Sequence, residues 1–211
     1  MYLSVLTRPD IAFSVSFLSQ FNSCYTSTHW NYAKRILRYL KRTKNYCIRY
    51  IKGSFELLGF ADADWANNSI DRKSYTGYCF VMSGGVISWE SRKQRTVALS
   101  SMEAEYMSMA EACKELMYLR VLLSEVTNQD VCPITLYNDS QSAQKFVVNH
   151  ALNRKSKHID IRYHFLRDAV SSNIINIEYV CTNDMPADVL TKALGVTKHY
   201  QCIEALGVVN L

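Results

Sequence analysis

The stretch from Ser100 to about Val126 constrains the fold most, because it reads as one long helix with an acid on its apolar face. Glu105, Met109, Ala112, Leu116, Leu119 and Leu123 follow one another at steps of four and three residues, the spacing that lines up one side of an α-helix. A helix with so long an apolar line must lie against a sheet or other helices. A glutamate at the head of that line is costly to bury unless a cation or hydrogen-bond donors meet it. Ser100 and Glu103 have the S-x-x-E spacing of a capping box, which gives Glu103 a structural job and leaves Glu105 without one.

The segments around this helix read mainly as strands. Phe55 to Ala61 is a short apolar run that delivers Asp62 and Asp64 at its end, and residues two apart share a sheet face, so both acids lie on the side of Phe60 and Leu58. A solvated turn is the competing role for both aspartates. After a turn-rich stretch from Asn67 to Ser74, Tyr75 to Met82 and Val86 to Glu90, joined by Ser83, Gly84 and Gly85, read as a hairpin, which makes an antiparallel meander of three strands. Beyond the long helix, Cys132 to Asn138 is a fourth strand ending in Asp139, and Ser140 opens a short helix to about Asn149. An aspartate at the carboxyl end of a strand that feeds a helix lies in the usual site-bearing position of an α/β sheet, although it can equally cap that helix. A helix over Lys155 to Ser171 and a fifth strand over Ile174 to Val180 follow. Asn183 opens a last long helix through Leu194, with Pro186 in its first turn and Asp188 beyond it, where an acid also complements the helix dipole. Gly195 stops that helix, and His199 to Leu206 reads as a small C-terminal one.

The N-terminal quarter differs in charge. The chain has 211 residues and a formal net charge of +5, yet residues 1 to 55 hold nine Lys and Arg against the single Asp10. The remainder is therefore mildly acidic, the pattern of a polyanion-binding appendage beside a domain with its own acidic site. Thr7 to Phe21 reads as a helix with a Thr7 and Asp10 capping box, and its Phe13, Phe17 and Phe21 form an apolar surface that needs a partner. Thr28 to Arg42 reads as a second helix, with Trp30, Ala33, Leu37 and Leu40 on one line and Lys34, Arg35, Arg38, Lys41 and Arg42 over much of the rest. No acid lies between Ile11 and Phe55 to pair with them, which favours phosphate contact over a merely solvated face. Arg92 and Lys93, before the long helix, are further candidates. Seven scattered cysteines without a C-x-x-C pair suggest neither a zinc site nor a disulfide framework and fit a reducing intracellular compartment. No apolar run reaches a membrane span, and Met1 to Thr7 lacks the features of a secretory signal.

Four acids now have addresses, Asp62, Glu105, Asp139 and Asp188, in the element order β-β-β-α-β-α-α-β-α. This arrangement resembles the ribonuclease H fold with its D, E, D, D acids. More closely, the chain resembles the C-terminal part of a copia-type retrotransposon Pol polyprotein. The residues that carry this are TRPDIAFSVSFLSQF (Thr7 to Phe21), HWNYAKRILRYLKRT (His29 to Thr43), ADADWA (Ala61 to Ala66), SYTGYCF (Ser74 to Phe80), SSMEAEY (Ser100 to Tyr106), YNDSQSA (Tyr137 to Ala143), KHIDIRYHFLRD (Lys157 to Asp168) and ADVLTK (Ala187 to Lys192). The resemblance implies an α/β, ribonuclease H-like fold: a mixed five-stranded sheet of three antiparallel and then two parallel strands, flanked by helices, with an N-terminal helical appendage. It implies a reverse transcriptase remnant over residues 1–52, a ribonuclease H domain over 53–195 and a short C-terminal helix or tail over 196–211.

The function implied is hydrolysis of the RNA strand of RNA/DNA hybrids with two Mg²⁺ ions, for which Mn²⁺ can substitute. Asp62, Glu105, Asp139 and Asp188 are the implied catalytic and metal-binding residues, with Asp62 bridging both ions, Asp139 beside the attacking water, and Glu105 and Asp188 on opposite sides. The role of Asp64 stays open. Lys34, Arg35, Arg38, Lys41, Arg42, Arg92 and Lys93 are the implied nucleic-acid contacts. The partners implied are the RNA/DNA hybrid and the rest of the Pol polyprotein, reverse transcriptase and integrase, with no membrane and an intracellular, cytoplasmic setting in virus-like particles. Many cellular ribonucleases H carry a mobile histidine before the last helix; here the stretch reads CTNDMPAD (Cys181 to Asp188) and has none. Related transposases present their acids as D, D, E, and the position of Glu105 argues against them. The chain has no Y-x-D-D motif, so polymerase activity is not expected. The alternative reading is a catalytically silent or domesticated Pol fragment that acts as a nucleic-acid-binding or interaction module.

Overall fold

The computed structural model describes residues 1–53, 55–66, 71–148 and 157–211. The strands are β1 (Tyr46–Ile48), β2 (Leu57–Asp64), β3 (Tyr75–Met82), β4 (Gly85–Lys93), β5 (Ile134–Asn138), β6 (Ile175–Tyr179) and β7 (Val208–Asn210). The helices are α1 (Tyr2–Leu6), α2 (Ala12–Ser19), α3 (Ser27–Arg42), α4 (Ser101–Thr127), α5 (Gln141–Val148), α6 (Lys157–Ser171) and α7 (Val196–Ala205). The expected turn over Asn67 to Ser74 lies partly outside the described residues, as do the expected ends at Asn149 and Lys155.

Five strands form one mixed sheet in the order β4-β3-β2-β5-β6. β2, β3 and β4 make the antiparallel meander, while β5 runs parallel to β2 and β6 parallel to β5. Ser83 and Gly84 turn the hairpin with φ of 54° and 74°, the doubly left-handed geometry that matches strand twist in a two-residue loop. Both faces of the sheet are covered. Leu57, Ala61, Tyr78, Phe80 and Leu136 pack under Met109, Leu116, Leu119 and Leu123 of α4, with α5 and α6 completing that layer. Phe60, Cys79, Val81 and Val86 face the other way, against Met185, Leu190, Cys202, Ile203 and Leu206. Each fully buried leucine or phenylalanine contributes about 2 kcal/mol of apolar burial.

α4 begins where its side chains can satisfy its free amides. Ser100 Oγ accepts from the Glu103 amide at 3.1 Å, and Glu103 Oε2 accepts from the Leu99 amide at 2.8 Å, one residue earlier than in a capping box. Ser100→Ala is expected to lower stability by about 1 kcal/mol, read as a lower urea midpoint with an unchanged slope; an unshifted midpoint would show that the cap is energetically idle.

The expected helix over Thr7 to Phe21 is broken. α1 ends at Leu6, ahead of the expected start, a single 3₁₀ turn covers Pro9–Ile11, and α2 follows. Pro9 lacks an amide to continue α1, and Asp10 is not a cap residue at all. It is buried with Arg8, whose guanidinium donates to its carboxylate at 2.7 Å and to the Thr43 carbonyl at 3.0 Å, and Tyr39 Oη donates to it at 2.8 Å. The Phe13, Phe17 and Phe21 row finds internal partners: Phe13 meets Tyr75 edge to face and Phe21 stacks on His29. The apolar line of α3 does not, since none of its residues is buried and Trp30 and Leu37 are 58% and 61% exposed.

The expected last helix over Asn183 to Leu194 is also corrected. The chain forms two short 3₁₀ segments, Thr182–Asp184 and Pro186–Leu190. Every residue of the second is buried, so it has no solvent face of the kind an amphipathic α-helix presents. Gly195 does not stop a helix but precedes α7, which starts earlier than His199. β4 is longer than the expected Val86 to Glu90. β1 and β7, which pair antiparallel, are three residues each and too short for periodicity to reveal. Among the described residues no helix is long and apolar enough to cross a membrane.

Candidate active site

The parallel pairing of β2 with β5 places two acids side by side. Phe60 is in register with Tyr137, and two residues further along each strand come Asp62 and Asp139. α4 brings the third acid, because Ser108, three residues beyond Glu105, donates to the Asp62 carbonyl at 2.7 Å and pins the helix to β2. Carboxylate oxygens of Asp62, Glu105 and Asp139 all lie within 4.8 Å of one another. Asp62 is 1% exposed and Glu105 7%, whereas Asp139 is half-buried. Asp64, the last residue of β2, is half-buried and outside this group.

Asp188 arrives from the opposite layer and is also 1% exposed. Its carboxylate is paired with Lys192 at 2.7 Å and Lys198 at 3.4 Å. Lys192 also lies 3.7 Å from Asp62, and Thr191 Oγ1 donates a short hydrogen bond to Asp62 Oδ2. Three of the four expected acids therefore converge directly, and the fourth reaches Asp62 through Lys192 and Thr191. Gly77, opposite Asp62 on β3, makes this approach possible: a Cβ there would lie 2.6 Å from Thr191 Cγ2 and 2.8 Å from Leu190 Cβ.

Neutral side chains fix the three converging carboxylates. Asn138, fully buried, donates to Glu105 Oε2 and to the Ala61 carbonyl, each at 2.9 Å, and its own Oδ1 accepts from the Ser140 amide. Thr182 donates to Asp139 Oδ2 at 2.7 Å. Burial pushes Asp62 up to about 7; Lys192 and Thr191 pull it down, and the charges of Asp188 and Asp139 add to the rise. Glu105 is held well above the ordinary carboxylate range, chiefly by burial and then by the charge of Asp62. Burial pulls Lys192 down, but Asp62 and Asp188 reverse this and hold its ammonium above the usual lysine range. Clustered oxygens that resist ionisation in the absence of a cation are a donor set for a hard divalent ion.

Sequence reasoning left Asn138, Thr191, Lys192 and Lys198 without roles. The spacing of Asn138 to Ser140 was a usable signal, since Asn readily accepts a hydrogen bond from the amide two residues on. Lys34, Arg35, Arg38, Lys41 and Arg42 are all exposed on α3. Arg92 is paired with Glu90 and Glu111, and Lys93 with Asp71.

A five-stranded mixed sheet of this order, with a long helix over one face and acids at the ends of its two central strands, defines a ribonuclease H-like domain. The chain is 41% identical over 208 residues to the Retrovirus-related Pol polyprotein from transposon TNT 1-94 of Nicotiana tabacum, a match that covers 99% of this chain and 16% of that one. Nearly the whole chain thus matches one region of copia-type retrotransposon Pol polyproteins, and it spans about one sixth of the length of the tobacco polyprotein. A protein of Plasmopara viticola, Secreted RxLR effector protein 161, is 51% identical over 122 residues, covering 57% of this chain and 86% of that one. Ribonuclease H1 of the halophilic archaeon Halobacterium salinarum superposes with a TM-score of 0.48 at 15% identity, covering 64% of this chain and 94% of that one. No protein-family model matches the chain.

Proposed function

We propose that this chain is the ribonuclease H of its polyprotein and hydrolyses the RNA strand of RNA/DNA hybrids with divalent metal ions, Mg²⁺ or Mn²⁺. The observation that carries this reading is the convergence of Asp62, Glu105 and Asp139 within 4.8 Å on elements fixed by the sheet. Asp62, Glu105, Asp139 and Asp188 are the residues that would hold the ions. The bound ions supply Lewis-acid activation of water and of the scissile phosphate. The protein's part is positioning. Asn138 sets the rotamer of Glu105, Thr182 that of Asp139, and Thr191 that of Asp62. The exposed cations of α3 would track the backbone of the hybrid, and RNA would be told from DNA by its 2′-hydroxyls across the minor groove. Arg92 and Lys93 could join only by exchanging their present acidic partners for phosphate. In this reading residues 1–52 are the end of the reverse transcriptase region, residues 53–195 the nuclease, and the rest of Pol the natural partner, within the cell.

The test is cleavage of an end-labelled RNA/DNA hybrid in Mg²⁺ or Mn²⁺, beside single-stranded RNA and an Asp139→Asn variant. Cutting of the hybrid's RNA strand alone, reduced about a hundredfold or more by the substitution, is the expected result. Hybrid binding without cutting by the folded wild-type protein would overturn it and mark a silent nucleic-acid-binding module.

A further inference from the structure

We propose that Lys192 is the resident cation of the Asp188 side of the acid cluster, so that the substrate-free site takes one divalent ion and admits a second only when Lys192 withdraws. The inference rests on the metal-dependent reading above and adds to it how many ions the protein holds on its own, and which residue decides that number.

Three observations carry it. The first is position. Lys192 Nζ lies 2.7 Å from Asp188 and 3.7 Å from Asp62, between the two acids that a second ion would have to share. Asp188 is accordingly absent from the group of three whose oxygens converge, Asp62, Glu105 and Asp139. The second is charge. With Lys192 and Lys198 beside Asp188, two of the four carboxylate charges are already balanced within the chain. The two that remain match a single divalent ion, and another would leave the buried site strongly positive.

The third is freedom to move. The Lys192 side chain keeps 30% of its surface in solvent, so its ammonium can swing outward on a flexible stem while its backbone stays in place. Lys198 cannot take over the same task. Its Nζ is tied to the carbonyls of Thr182 at 2.8 Å and Asn183 at 2.6 Å, and the acid it pairs with is Asp188. Lys192 thus differs from an ordinary surface partner of an acid four residues earlier: it faces a second, fully buried carboxylate from a distant strand.

Mn²⁺ titration followed by the electron paramagnetic resonance signal of free aqueous Mn²⁺ counts the ions without any cleavage assay. Wild-type protein is expected to hold one Mn²⁺ per chain, Lys192→Met two, and Lys198→Met one, with the second site of Lys192→Met at least tenfold tighter than any second site of the wild type. Should Lys192→Met melt below the wild type, Lys192→Gln carries the count, again with two expected. Two ions on the wild-type chain, one on a folded Lys192 variant, or two on Lys198→Met would each overturn the proposal. No ion on any of these chains would overturn the metal-dependent reading together with it, whereas a chain that binds as expected but fails to cut hybrid loses only the assignment of its substrate.

Discussion

Asp62→Asn is expected to lower hybrid cleavage roughly a thousandfold and yet to raise the melting temperature of the metal-free protein above pH 7. The two effects have one origin. Burial first, and then the neighbouring charges of Asp188 and Asp139, push the Asp62 carboxyl up to about 7. In the unfolded chain the same group titrates near ~4. The folded state therefore holds the proton more tightly, and the stability this contributes is complete below about pH 4 and lost as pH rises through about 7. Glu105 is shifted in the same direction. An asparagine can still accept from Thr191 but carries no charge to desolvate, so the variant should lack much of this decline. Divalent ions should reverse the order, since binding to the native wild-type site stabilises it by mass action while the variant gains little. Thermal melts at pH 5 and pH 8, in EDTA and in Mn²⁺, read all of this. Overlapping curves for the two proteins in EDTA at pH 8 would sink the idea.

Gly77→Ala should produce the next largest effect, through a residue with no chemistry of its own. The added methyl would meet Thr191 Cγ2 at 2.6 Å and Leu190 Cβ at 2.8 Å, with the Ala187 carbonyl at 3.2 Å. All three belong to the buried stretch around Asp188, so none can turn into solvent to make room. Either the stretch or β3 must shift, at about 2–3 kcal/mol. Because Thr191 and Lys192 reach Asp62 from that stretch, the same displacement should weaken Mn²⁺ binding at least tenfold. Chemical denaturation and Mn²⁺ titration test the two halves separately. A variant with wild-type stability would show that the gap beside Gly77 can be filled without moving the site.

The sheet was legible because its segments alternate cleanly or run as short apolar blocks, and because no helix separates the first three strands. Glu105 was legible for a sharper reason: it sits on the dry line of α4, where an acid has no ordinary use. Asp139 was half-legible, its address at a strand end being equally that of a helix cap. What could not be read was the company these acids keep. Thr191 meets Asp62 across 129 residues of sequence, and no local pattern encodes such a contact. Pro186 and Asp188 looked like a helix start, yet complete burial on a close-packed sheet selected a tighter turn. The helix over Thr7 to Phe21 failed for a related reason, since Asp10 was read as a local cap when its partners are Arg8 and the distant Tyr39. On α3, helical spacing predicted an apolar face correctly as a line but not as a buried one.

The pairing of β1 with β7 has a consequence for how this region can be divided. β1 belongs to the part read as polymerase-derived and β7 to the extreme C-terminal end, and the Trp89 indole of β4, which donates to the Ser4 carbonyl at 2.8 Å, ties the N-terminal part to the five-stranded sheet as well. A cut at residue 52 would thus open a zipper rather than sever a tether. The two pieces would be complementary parts of one folded body, expected to recognise each other in trans, and a chain expressed without its first fifty residues would carry in β7 an orphaned strand looking for a new edge.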